Sequence, residues 1–386
     1  MKIVLVSQTY GPANGAGAFV AALARGLAAR GDDVTVIAPA DRLRSGCRGD
    51  GLVVVAALRA CSLAPLYPEV RVPLAPARPV ERLLEALAPD VVHIQDHFPL
   101  GRCAARASAA RGVPLVATNH FVPETIAPHV PLVARTRVLE RVLWRMVARV
   151  FEQAAVVTTP TQTAVALLRP WLPGVPLRAI SCGVDLARFA RAGERATIRR
   201  AMGFARGDRV FVYVGRLDLE KRVEVLVRAL AVVGRPDLKL LIVGRGRQDA
   251  SLRRLAHRLG VAGQVGFAGF VPPERVAELL AGADYFAMPG DVELQSIATL
   301  EAMAAGLPVL AARAGALPEL VEDGVNGALF RANDAAAAAA GMRELVAAAD
   351  HGSAMSQASR LRAARHDVRY TVDAYRALYA EVAAGG

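Results

Sequence analysis

The chain has 386 residues, 54% of them hydrophobic, which is enough for two domains that each bury a core of their own. Its formal net charge is +12, but only 21% of the residues are charged and 5% are aromatic, and the arginines are scattered, so we expect no nucleic acid partner. The 33 glycines and 23 prolines are spread between apolar segments, which predicts a folded protein with many short connections and excludes a disordered one.

The first half of the chain alternates short apolar runs with helical stretches, a pattern typical of parallel strands joined by crossover helices. A helix is predicted at residues 15–30. Strands are predicted at residues 2–7, 33–38, 53–58, 91–94, 115–118 and 156–160, the last of which is expected to end the sheet. The segment therefore predicts a doubly wound domain.

The pattern restarts after a short strand and a glycine turn within residues 177–189. The second set of predicted strands is 210–214, 239–243, 265–268, 285–288 and 308–311, with helices at 222–233, 250–259, 274–281 and through Glu301; an alanine-rich segment, 335–340, favours a further helix. We therefore predict an α/β protein of two Rossmann-like domains, 1–180 and 181–364, joined by a linker near 170–190. A terminal helix, about 365–386, is expected to pack back on the first domain.

Glycine turns follow two of the predicted strands, at positions where a doubly wound sheet presents backbone amides to an anion. In the first, Gly15 and Gly17 precede a helix without the dinucleotide fingerprint, so a phosphate contact and a simple tight turn both remain open. In the second, Gly215 is followed by Arg216 and Lys221, two cations suited to a diphosphate. The alternative for this loop is ion pairing with its own carboxylates, Asp218 and Glu220.

Two carboxylates eight residues apart, Glu293 and Glu301, lie in a loop that enters a helix. Carboxylates accept hydrogen bonds from hydroxyl groups, and the amides at a helix start bind phosphate. This stretch therefore predicts a binding site for a polyhydroxy ligand that carries phosphate. A third turn of this kind, at Gly244 and Arg245, could line one side of a nucleotide-binding site.

Three histidines lie near predicted strand ends: His120 after 115–118, and His93 and His97 around the end of 91–94. Strand ends are where such domains bind ligands, although a structural role is the commoner one for a lone histidine. No histidine pair stands at zinc-ligand spacing with a third carboxylate or thiol, and the four cysteines are scattered along the chain (Cys47, Cys61, Cys103, Cys182). We expect reduced thiols and no metal.

A basic amphipathic helix is predicted at residues 133–153, where arginines recur among apolar residues. Such helices lie on anionic membranes or simply cover a core, and both interpretations remain open. The chain has no apolar run of roughly 18 residues, and its N-terminus reads as a strand rather than a signal peptide. We therefore expect a cytoplasmic protein, with peripheral membrane contact through this helix as the alternative.

These motifs together resemble the retaining GT-B glycosyltransferases of family 4, over nearly the whole chain. The strand and loop 214–221 resembles the phosphate-binding loop of that family, residues 293–308 its paired-glutamate motif, and residues 181–185 its interdomain turn. The resemblance implies two Rossmann-like domains facing across a cleft, with the sugar nucleotide held mainly by the C-terminal domain and the acceptor by the N-terminal one. No metal or other cofactor is implied.

The resemblance also implies roles for individual residues. Arg216 and Lys221 would neutralise the diphosphate, and Gly215 would also bind the donor. Glu301 would accept hydrogen bonds from ribose hydroxyls, and Glu293 and His120 would face the donor sugar. Gly15 would approach the diphosphate from the other domain. The sugar would be lined by Leu294, Gln295, Ser296 and Ile297, and the base by Arg245, Phe270 and Val271. A front-face mechanism, in which the leaving phosphate deprotonates the acceptor, is likewise implied by the family.

Two departures from the family pattern concern the donor. Many relatives have Glu-Gly-Phe-Gly where this chain has Glu293-Leu294-Gln295-Ser296, and the N-terminal Gly-Gly pair is Gly15-Ala16 here. The predicted function is transfer of a hexose from a UDP- or GDP-sugar to a hydroxyl of a small-molecule acceptor, with retention. The alternatives are a membrane-associated enzyme with a lipid acceptor and a non-catalytic sugar-nucleotide-binding protein.

Overall fold

A computed structural model describes residues 1–11, 14–40, 46–63, 67–125, 137–190, 195–348 and 352–385. The chain divides into two compact units. The N-terminal unit contains Met1–Cys182 and Val368–Gly386, and the C-terminal unit contains Gly183–Asp367. The chain thus leaves the first unit once and returns to it with its last helix.

The N-terminal unit contains an eight-stranded sheet in the order β10-β9-β8-β7-β1-β2-β4-β3 and a separate hairpin, β5-β6. All neighbours in the large sheet are parallel except β3, which runs antiparallel to β4. The strands are β1 Lys2–Val6, β2 Asp33–Pro39, β3 Gly46–Asp50, β4 Val53–Leu58, β5 Ala60–Leu63, β6 Tyr67–Pro73, β7 Val91–Ile94, β8 Leu115–Thr118, β9 Val156–Thr159 and β10 Leu177–Ala179. The expectation that the strand at 156–160 ends the sheet is wrong, because β10 pairs with β9 along its free side.

The helices of this unit are α1 Gly15–Ala28, α2 Ala77–Leu87, α3 Pro99–Ala110, α4 Arg137–Phe151, α5 Gln162–Leu168 and α15 Val368–Ala384. The predicted basic helix at 133–153 corresponds to α4, and its first four residues lie outside the described part of the chain. α15 packs on α1 and on β7 and β8. Its Tyr375 and Tyr379 are fully buried, and Arg376 pairs with Asp32 at 3.0 Å.

The C-terminal unit contains a six-stranded parallel sheet in the order β13-β12-β11-β14-β15-β16. Its strands are β11 Arg209–Val214, β12 Leu238–Val243, β13 Val265–Gly269, β14 Tyr285–Met288, β15 Val309–Ala312 and β16 Gly327–Phe330. Its helices are α6 Leu186–Ala190, α7 Arg195–Ala201, α8 Val223–Val233, α9 Asp249–Arg258, α10 Pro273–Gly282, α11 Ile297–Ala304, α12 Leu317–Leu320, α13 Ala335–Ala347 and α14 Gly352–Ala364. The central strands are buried along most of their length, as their continuous apolar sequences require.

The predicted elements of this unit agree with the structure to within a few residues, but helices α6, α7, α12 and α14 have no predicted counterpart. Helix α8 begins at Val223 rather than Arg222, because Arg222 has a left-handed backbone, with φ of 51°. Strand β16 extends the sheet beyond the last predicted strand, since it pairs with β15. The alanine-rich segment is helical and continues as α13, which begins where Asp334 accepts from the amides of Ala336 and Ala337.

Candidate functional site

Each sheet has a switch point, where the chain leaves two neighbouring strands toward opposite sides of the sheet. In the C-terminal unit it lies between β11 and β14, since β12 and β13 extend one side and β15 and β16 the other. In the N-terminal unit it lies between β1 and β7. Ligands of open α/β sheets bind outside the carboxyl ends of the strands at such points.

The loops that leave β11, β12 and β13 pack directly against one another in the C-terminal unit. The amide of Gly215 donates to Val243 O, that of Leu217 to Arg245 O, and that of Gly244 to Gly269 O, at 2.8 to 3.0 Å. A Cβ atom on Gly244, whose φ is 139°, would lie 1.8 Å from Gly215 O. These loops therefore depend on glycine for their close approach.

The ammonium group of Lys221 donates to Glu293 Oε1 at 2.6 Å, so the structure brings together two of the predicted catalytic residues. Lys221 follows β11 and Glu293 follows β14, the two strands of the switch point. Glu293 is held closely, since a Cβ on Gly290 would lie 2.9 Å from its Oε1 and a Cβ on Gly315 would lie 2.5 Å from its backbone oxygen. The amide of Ala316 also donates to that oxygen, at 2.8 Å.

Arg216 pairs with both carboxylates of its own loop. Its guanidinium donates to Asp218 and, at 2.7 Å, to Glu220 Oε1. The ion-paired arrangement weighed as an alternative for this loop is therefore present. Tyr213 stabilises the turn that follows β11, because its hydroxyl donates to Arg216 O at 2.7 Å.

The loop after β11 carries three cations, which pair with two carboxylates of the same loop and two of the loop after β14. Besides the pairs of Arg216 and Lys221, Arg222 donates to Asp291 at 2.8 Å. An ammonium has three donors, and among the described residues Glu293 is the acceptor that Lys221 contacts, so a phosphate oxygen can bind Lys221 without displacing Glu293. Lys221 is thus held in place by an internal carboxylate while keeping donor capacity for an anion.

Glu301 lies on α11, eight residues after Glu293, and is approached by Arg188 of α6 at 3.4 Å. Arg188 is itself fixed, since it donates to Pro273 O and lies 5.0 Å from the Phe189 ring centre. Burial raises the pKa of Glu301, and the charge of Arg188 opposes that shift. Arg188 was not among the predicted site residues.

The entrance of α11 is built as the sequence predicts for a helix start. Ser296 is the N-cap, and its hydroxyl accepts from the Thr299 amide at 3.3 Å and from the Thr299 hydroxyl at 2.8 Å. Gln295 is buried, whereas Leu294 and Ile297 are half-buried. The predicted base-lining residues follow the neighbouring strands: Arg245 is exposed, Phe270 is 55% exposed, and Val271 is half-buried.

Gly15 and His120 belong to the N-terminal unit. Gly15 is the exposed first residue of α1, which is capped by Asn14 through a bond from the Gly17 amide to its side chain at 2.8 Å. A Cβ on Gly17 would lie 2.7 Å from Gly11 O, so this turn is tight as well as helix-capping. The turn is therefore a tight one, and the phosphate contact of Gly15 stays a prediction.

His120 follows β8 and is half-buried. Its Nε2 lies 3.1 Å from Gln95 Oε1, and its ring packs on that of Phe19 at 5.2 Å. Burial lowers the pKa of His120 to about 4, so the imidazole is neutral at pH 7. A neutral imidazole has one donor and one acceptor, and since Nε2 contacts Gln95, Nδ1 is the ring nitrogen left for a sugar hydroxyl.

His93 has a structural role, the commoner of the two roles considered for the histidines near strand ends. It is wholly buried, with Nδ1 2.6 Å from the Tyr379 hydroxyl and Nε2 2.6 Å from the Thr118 hydroxyl. Burial lowers its pKa to about 3. His97 is buried among the rings of Phe98, Phe121 and Phe151, and burial lowers its pKa to about 4.

A pH dependence of stability follows for His93. Its folded pKa lies below the unfolded value of 6.5, so its contribution to stability is present above pH 6.5 and is lost as the pH falls toward 3. Each such group contributes a slope of about 1.4 kcal/mol per pH unit in that window. We expect the free energy of unfolding of His93→Asn, measured with urea from pH 7.5 to 4.5, to fall less steeply than that of wild type by about this amount.

The control is His257→Asn, which replaces an exposed histidine of α9 and is expected to leave the wild-type slope unchanged. Equal slopes for His93→Asn and wild type would contradict the assignment of His93 as a buried neutral group.

No group of three or more His, Cys, Asp or Glu side chains is arranged to hold a metal ion within the described ranges. Metal independence stays a prediction. Among the same residues, none of the helices combines the length and the apolar character needed to cross a membrane. The predicted location of the protein stays a prediction as well.

Family models match both units. Residues 13–188 match the model described as Glycosyltransferase Family 4, and residues 194–362 match Glycosyl transferases group 1. A D-inositol 3-phosphate glycosyltransferase of Acidothermus cellulolyticus is 33% identical over 84% of this chain and 76% of its own length. The chain belongs to glycosyltransferase family 4. This confirms the family indicated by the sequence motifs.

Two further relatives bear on substrates. A D-inositol 3-phosphate glycosyltransferase of Nocardia farcinica is 40% identical over 40% of this chain, and the match spans about a third of that relative, 36% of its length. A protein of Mycolicibacterium smegmatis named GDP-mannose-dependent alpha-(1-6)-phosphatidylinositol monomannoside mannosyltransferase is 36% identical over 68% of this chain and 67% of its own length. The names of the relatives matched over two thirds or more of their own length, from Acidothermus cellulolyticus and Mycolicibacterium smegmatis, support hexosyltransferase activity in this family member.

Solved structures confirm the predicted GT-B fold. A sucrose-phosphate synthase of Thermosynechococcus elongatus has a TM-score of 0.81 and 21% identity, with both chains fully covered. HepE of Anabaena, solved in complex with UDP, has a TM-score of 0.79 and 21% identity, and covers 99% of this chain and 100% of its own. At these identities the likeness concerns the fold, two α/β Rossmann-like domains.

The sequence reasoning missed several residues that shape the site. Gly290 and Gly315 hold Glu293, Arg188 faces Glu301, and Gln95 contacts His120. Gly315 follows β15 and precedes α12, so the strand, glycine and helix pattern used elsewhere in the chain would have indicated it. Arg188 and Gln95 have no comparable local signal, because their partners are distant in sequence.

Proposed function

We propose that the protein is a retaining, metal-independent glycosyltransferase that moves a hexose from a nucleoside diphosphate sugar to a hydroxyl group of a small-molecule acceptor. The observation that carries this proposal is the Lys221–Glu293 pair at the switch point of the C-terminal sheet. It joins a cation for the leaving phosphate to a carboxylate for the sugar hydroxyls. The relatives named for GDP-mannose and the HepE structure with UDP support a GDP- or UDP-sugar as donor.

In the proposed reaction the bond from the sugar's anomeric carbon to the diphosphate oxygen breaks and a bond to the acceptor oxygen forms on the same face. The acceptor proton passes to the departing phosphate oxygen. Lys221 and Arg216 bind the diphosphate and stabilise the charge that develops on it. Glu293 is bound to Lys221, which suits it to accept hydrogen bonds from the sugar rather than to attack it.

The acceptor is proposed from the relatives. Two of them are named for D-inositol 3-phosphate, so an inositol phosphate is the first acceptor to test. The N-terminal unit would bind it, as the family resemblance implies. Glu301 with Arg188, and the exposed Phe270 beside Arg245, are proposed to contact the nucleoside.

A thermal-shift panel of nucleotides tests the donor site. At one hundred times its dissociation constant a ligand stabilises the fold by about 2.7 kcal/mol, which corresponds to a rise in Tm of roughly 5 to 10 °C for a domain of this size. We expect UDP or GDP to give this rise and the corresponding monophosphate to give much less, because Lys221 and Arg216 are assigned to the diphosphate. No stabilisation by any nucleoside diphosphate would contradict the donor site.

Turnover with the best-binding sugar nucleotide and inositol phosphate is then measured, with and without EDTA, and the anomeric configuration of the product is read by NMR. We expect product of the donor's own configuration and an EDTA-insensitive rate. An inverted product would refute retention. Nucleotide binding without turnover of donor, by hydrolysis or transfer, would favour the non-catalytic alternative.

A lipid acceptor is the second candidate, and helix α4 favours it. Three apolar side chains on successive turns are exposed, Val138 by 66%, Val142 by 45% and Met146 by 39%. Arg141, Arg145 and Arg149 lie exposed along the same helix. A cavity of about 230 Å³ lies beside them, lined by Arg102, Arg106, Met146, Arg149, Val150 and Gln153.

Charge complementarity favours an anionic bilayer as the partner of this surface. Within the described ranges, no carboxylate lies within 4 Å of the five arginines 102, 106, 141, 145 and 149. Each cation near an anionic membrane surface contributes about 1 kcal/mol to binding. The exposed apolar side chains of α4 would add to this by inserting into the bilayer interface. The relative named for a phosphatidylinositol monomannoside acceptor is consistent with this arrangement.

Co-sedimentation with vesicles containing phosphatidylglycerol at physiological salt tests the lipid candidate. We expect wild type to bind, and the variant Arg141→Glu with Arg145→Glu to lose most of its binding because two cations become anions. Arg254→Glu, at an exposed site on α9, is the control and is expected to bind like wild type. Absence of wild-type binding would remove the lipid candidate.

A further inference from the structure

We propose that Gln95 is a positioning residue for His120, which holds the imidazole in one tautomer, protonated at Nε2 and with Nδ1 as a hydrogen-bond acceptor for a sugar or acceptor hydroxyl. The inference rests on the proposed function, in which His120 faces the donor sugar. The proposal adds the direction of the hydrogen bonds of His120. Its Nε2–H donates to Gln95, and its Nδ1 accepts from a hydroxyl of the bound substrate.

Gln95 is held in place at both its backbone and its side chain. It follows β7 directly, and its amide donates to Val6 O of β1 at 2.9 Å. The residue is only 2% exposed. Its side-chain amide spans two histidines, with Oε1 3.1 Å from His120 Nε2 and Nε2 3.1 Å from both ring nitrogens of His93. Gln95 therefore has little freedom to turn away from His120.

The environment of His93 sets which way the amide of Gln95 points. His93 is neutral at pH 7, because burial lowers its pKa to about 3, and its two nitrogens are each 2.6 Å from a hydroxyl oxygen. An amide N–H beside this electron-rich ring is favourable, whereas a carbonyl oxygen there would face the ring's lone pair and π electrons. The amide oxygen is therefore the atom turned to His120.

The tautomer of His120 follows from that orientation. A carbonyl oxygen only accepts hydrogen bonds, so His120 Nε2 must carry the proton. A neutral imidazole has one N–H, which leaves Nδ1 with a lone pair. The ring of Phe19 on α1 packs against the His120 ring. The titratable group connected to His120 through Gln95 is His93. The bond to Gln95 thus decides what His120 offers to a ligand.

The network behind Gln95 extends to the C-terminal helix. The Tyr379 hydroxyl contacts His93, and the Thr118 hydroxyl contacts both His93 and Thr158, all at 2.6 Å. The Tyr375 hydroxyl lies 3.0 Å from Thr158 Oγ1. All five residues of this network are buried, so each lost bond would leave a buried polar group unsatisfied. Helix α15 thereby fixes His93, and His93 fixes Gln95.

The experiment uses the full-length protein labelled with ¹⁵N-histidine, because long-range proton–nitrogen spectra distinguish the two tautomers without any need for catalysis. His120→Asn assigns the signals. We expect the Nε2–H pattern for His120 in wild type and a mixture of tautomers in Gln95→Met, which is similar in size but lacks the acceptor. Gln162→Met, at an exposed glutamine of α5 in the same unit, is the control and should leave the spectrum unchanged.

Kinetics add a second readout. Gln95→Met is expected to lower kcat about tenfold with the donor KM nearly unchanged, since the tautomer affects the transition state more than ground-state binding. Gln95→Glu keeps an acceptor, so it should retain the Nε2–H pattern. Its carboxylate should also raise the pKa of His120, which adds an acid limb to the pH profile.

An Nδ1–H pattern in wild type, or an unchanged pattern in Gln95→Met, overturns the positioning role whatever the kinetics show. A different result is the expected change of tautomer in Gln95→Met together with wild-type turnover in both Gln95→Met and His120→Asn. It leaves the geometry of Gln95 intact and refutes the catalytic part assigned to His120 in the proposed function.

Discussion

Replacing Lys221 with alanine is expected to lower kcat by roughly 10²- to 10³-fold while the protein remains folded, because the change removes one preorganised cation from a developing diphosphate charge. The measurement is steady-state transfer from the sugar nucleotide, with circular dichroism to verify the fold. Lys239→Ala, which removes a half-buried lysine from β12 of the same unit, is the matched control and should keep wild-type turnover.

The pairing with Glu293 adds a stability effect that separates two roles of Lys221. Without the ammonium, the largely buried Glu293 carboxylate, 9% exposed, loses its 2.6 Å partner. Such a loss costs about 1 to 3 kcal/mol. Adding Glu293→Gln to Lys221→Ala should restore part of that stability and none of the turnover. Wild-type rates in Lys221→Ala would refute the diphosphate role.

Replacing Gly244 with alanine is expected to destabilise the C-terminal unit by about 2 to 6 kcal/mol, the sum of overpacking and backbone strain. A Cβ there would lie 1.8 Å from Gly215 O, and the residue has φ of 139°. The same clash pushes the Gly215 loop away from its position, so the stabilisation by a nucleoside diphosphate should also be lost. Thermal and urea unfolding, with and without nucleotide, measure both effects.

Gly234→Ala provides the comparison for Gly244→Ala. Gly234 also has a left-handed backbone, with φ of 68°, but a Cβ atom added there would have no atom of the described residues within 4 Å. Only backbone strain applies there, about 1 to 2 kcal/mol, and nucleotide binding should be unaffected. Equal effects of the two substitutions on the free energy of unfolding and on nucleotide binding would show that neither depends on the contact between the loops that follow β11 and β12.

Much of the C-terminal unit was predictable because its elements are marked locally. The apolar strands, the glycines that follow them and the Ser296 cap at the start of α11 are all neighbours in sequence to the features they produce. The extent of each sheet was less predictable. Strand β10 is only three residues long and β16 only four, and short strands have a weak periodic signal.

The partners of the candidate site residues were not predictable from local pattern. Arg188 and Glu301 are 113 positions apart, and Gln95 and His120 are 25 apart. Nothing in the spacing of either pair indicates that its members meet. The pairing of Arg216 with Asp218 and Glu220 is the exception, because all three residues belong to one loop and the alternative could be stated from the sequence.

The sequence by itself determined which residue types stand at the strand ends, since apolar runs, glycine turns and helix caps are short-range patterns. Only the tertiary structure decided that Lys221 and Glu293, 72 positions apart, lie 2.6 Å from each other. That contact depends on β11 and β14 being neighbours at the switch point of the sheet. Strand order is set by packing of the whole unit, because backbone hydrogen bonds between parallel strands carry no local sequence signature.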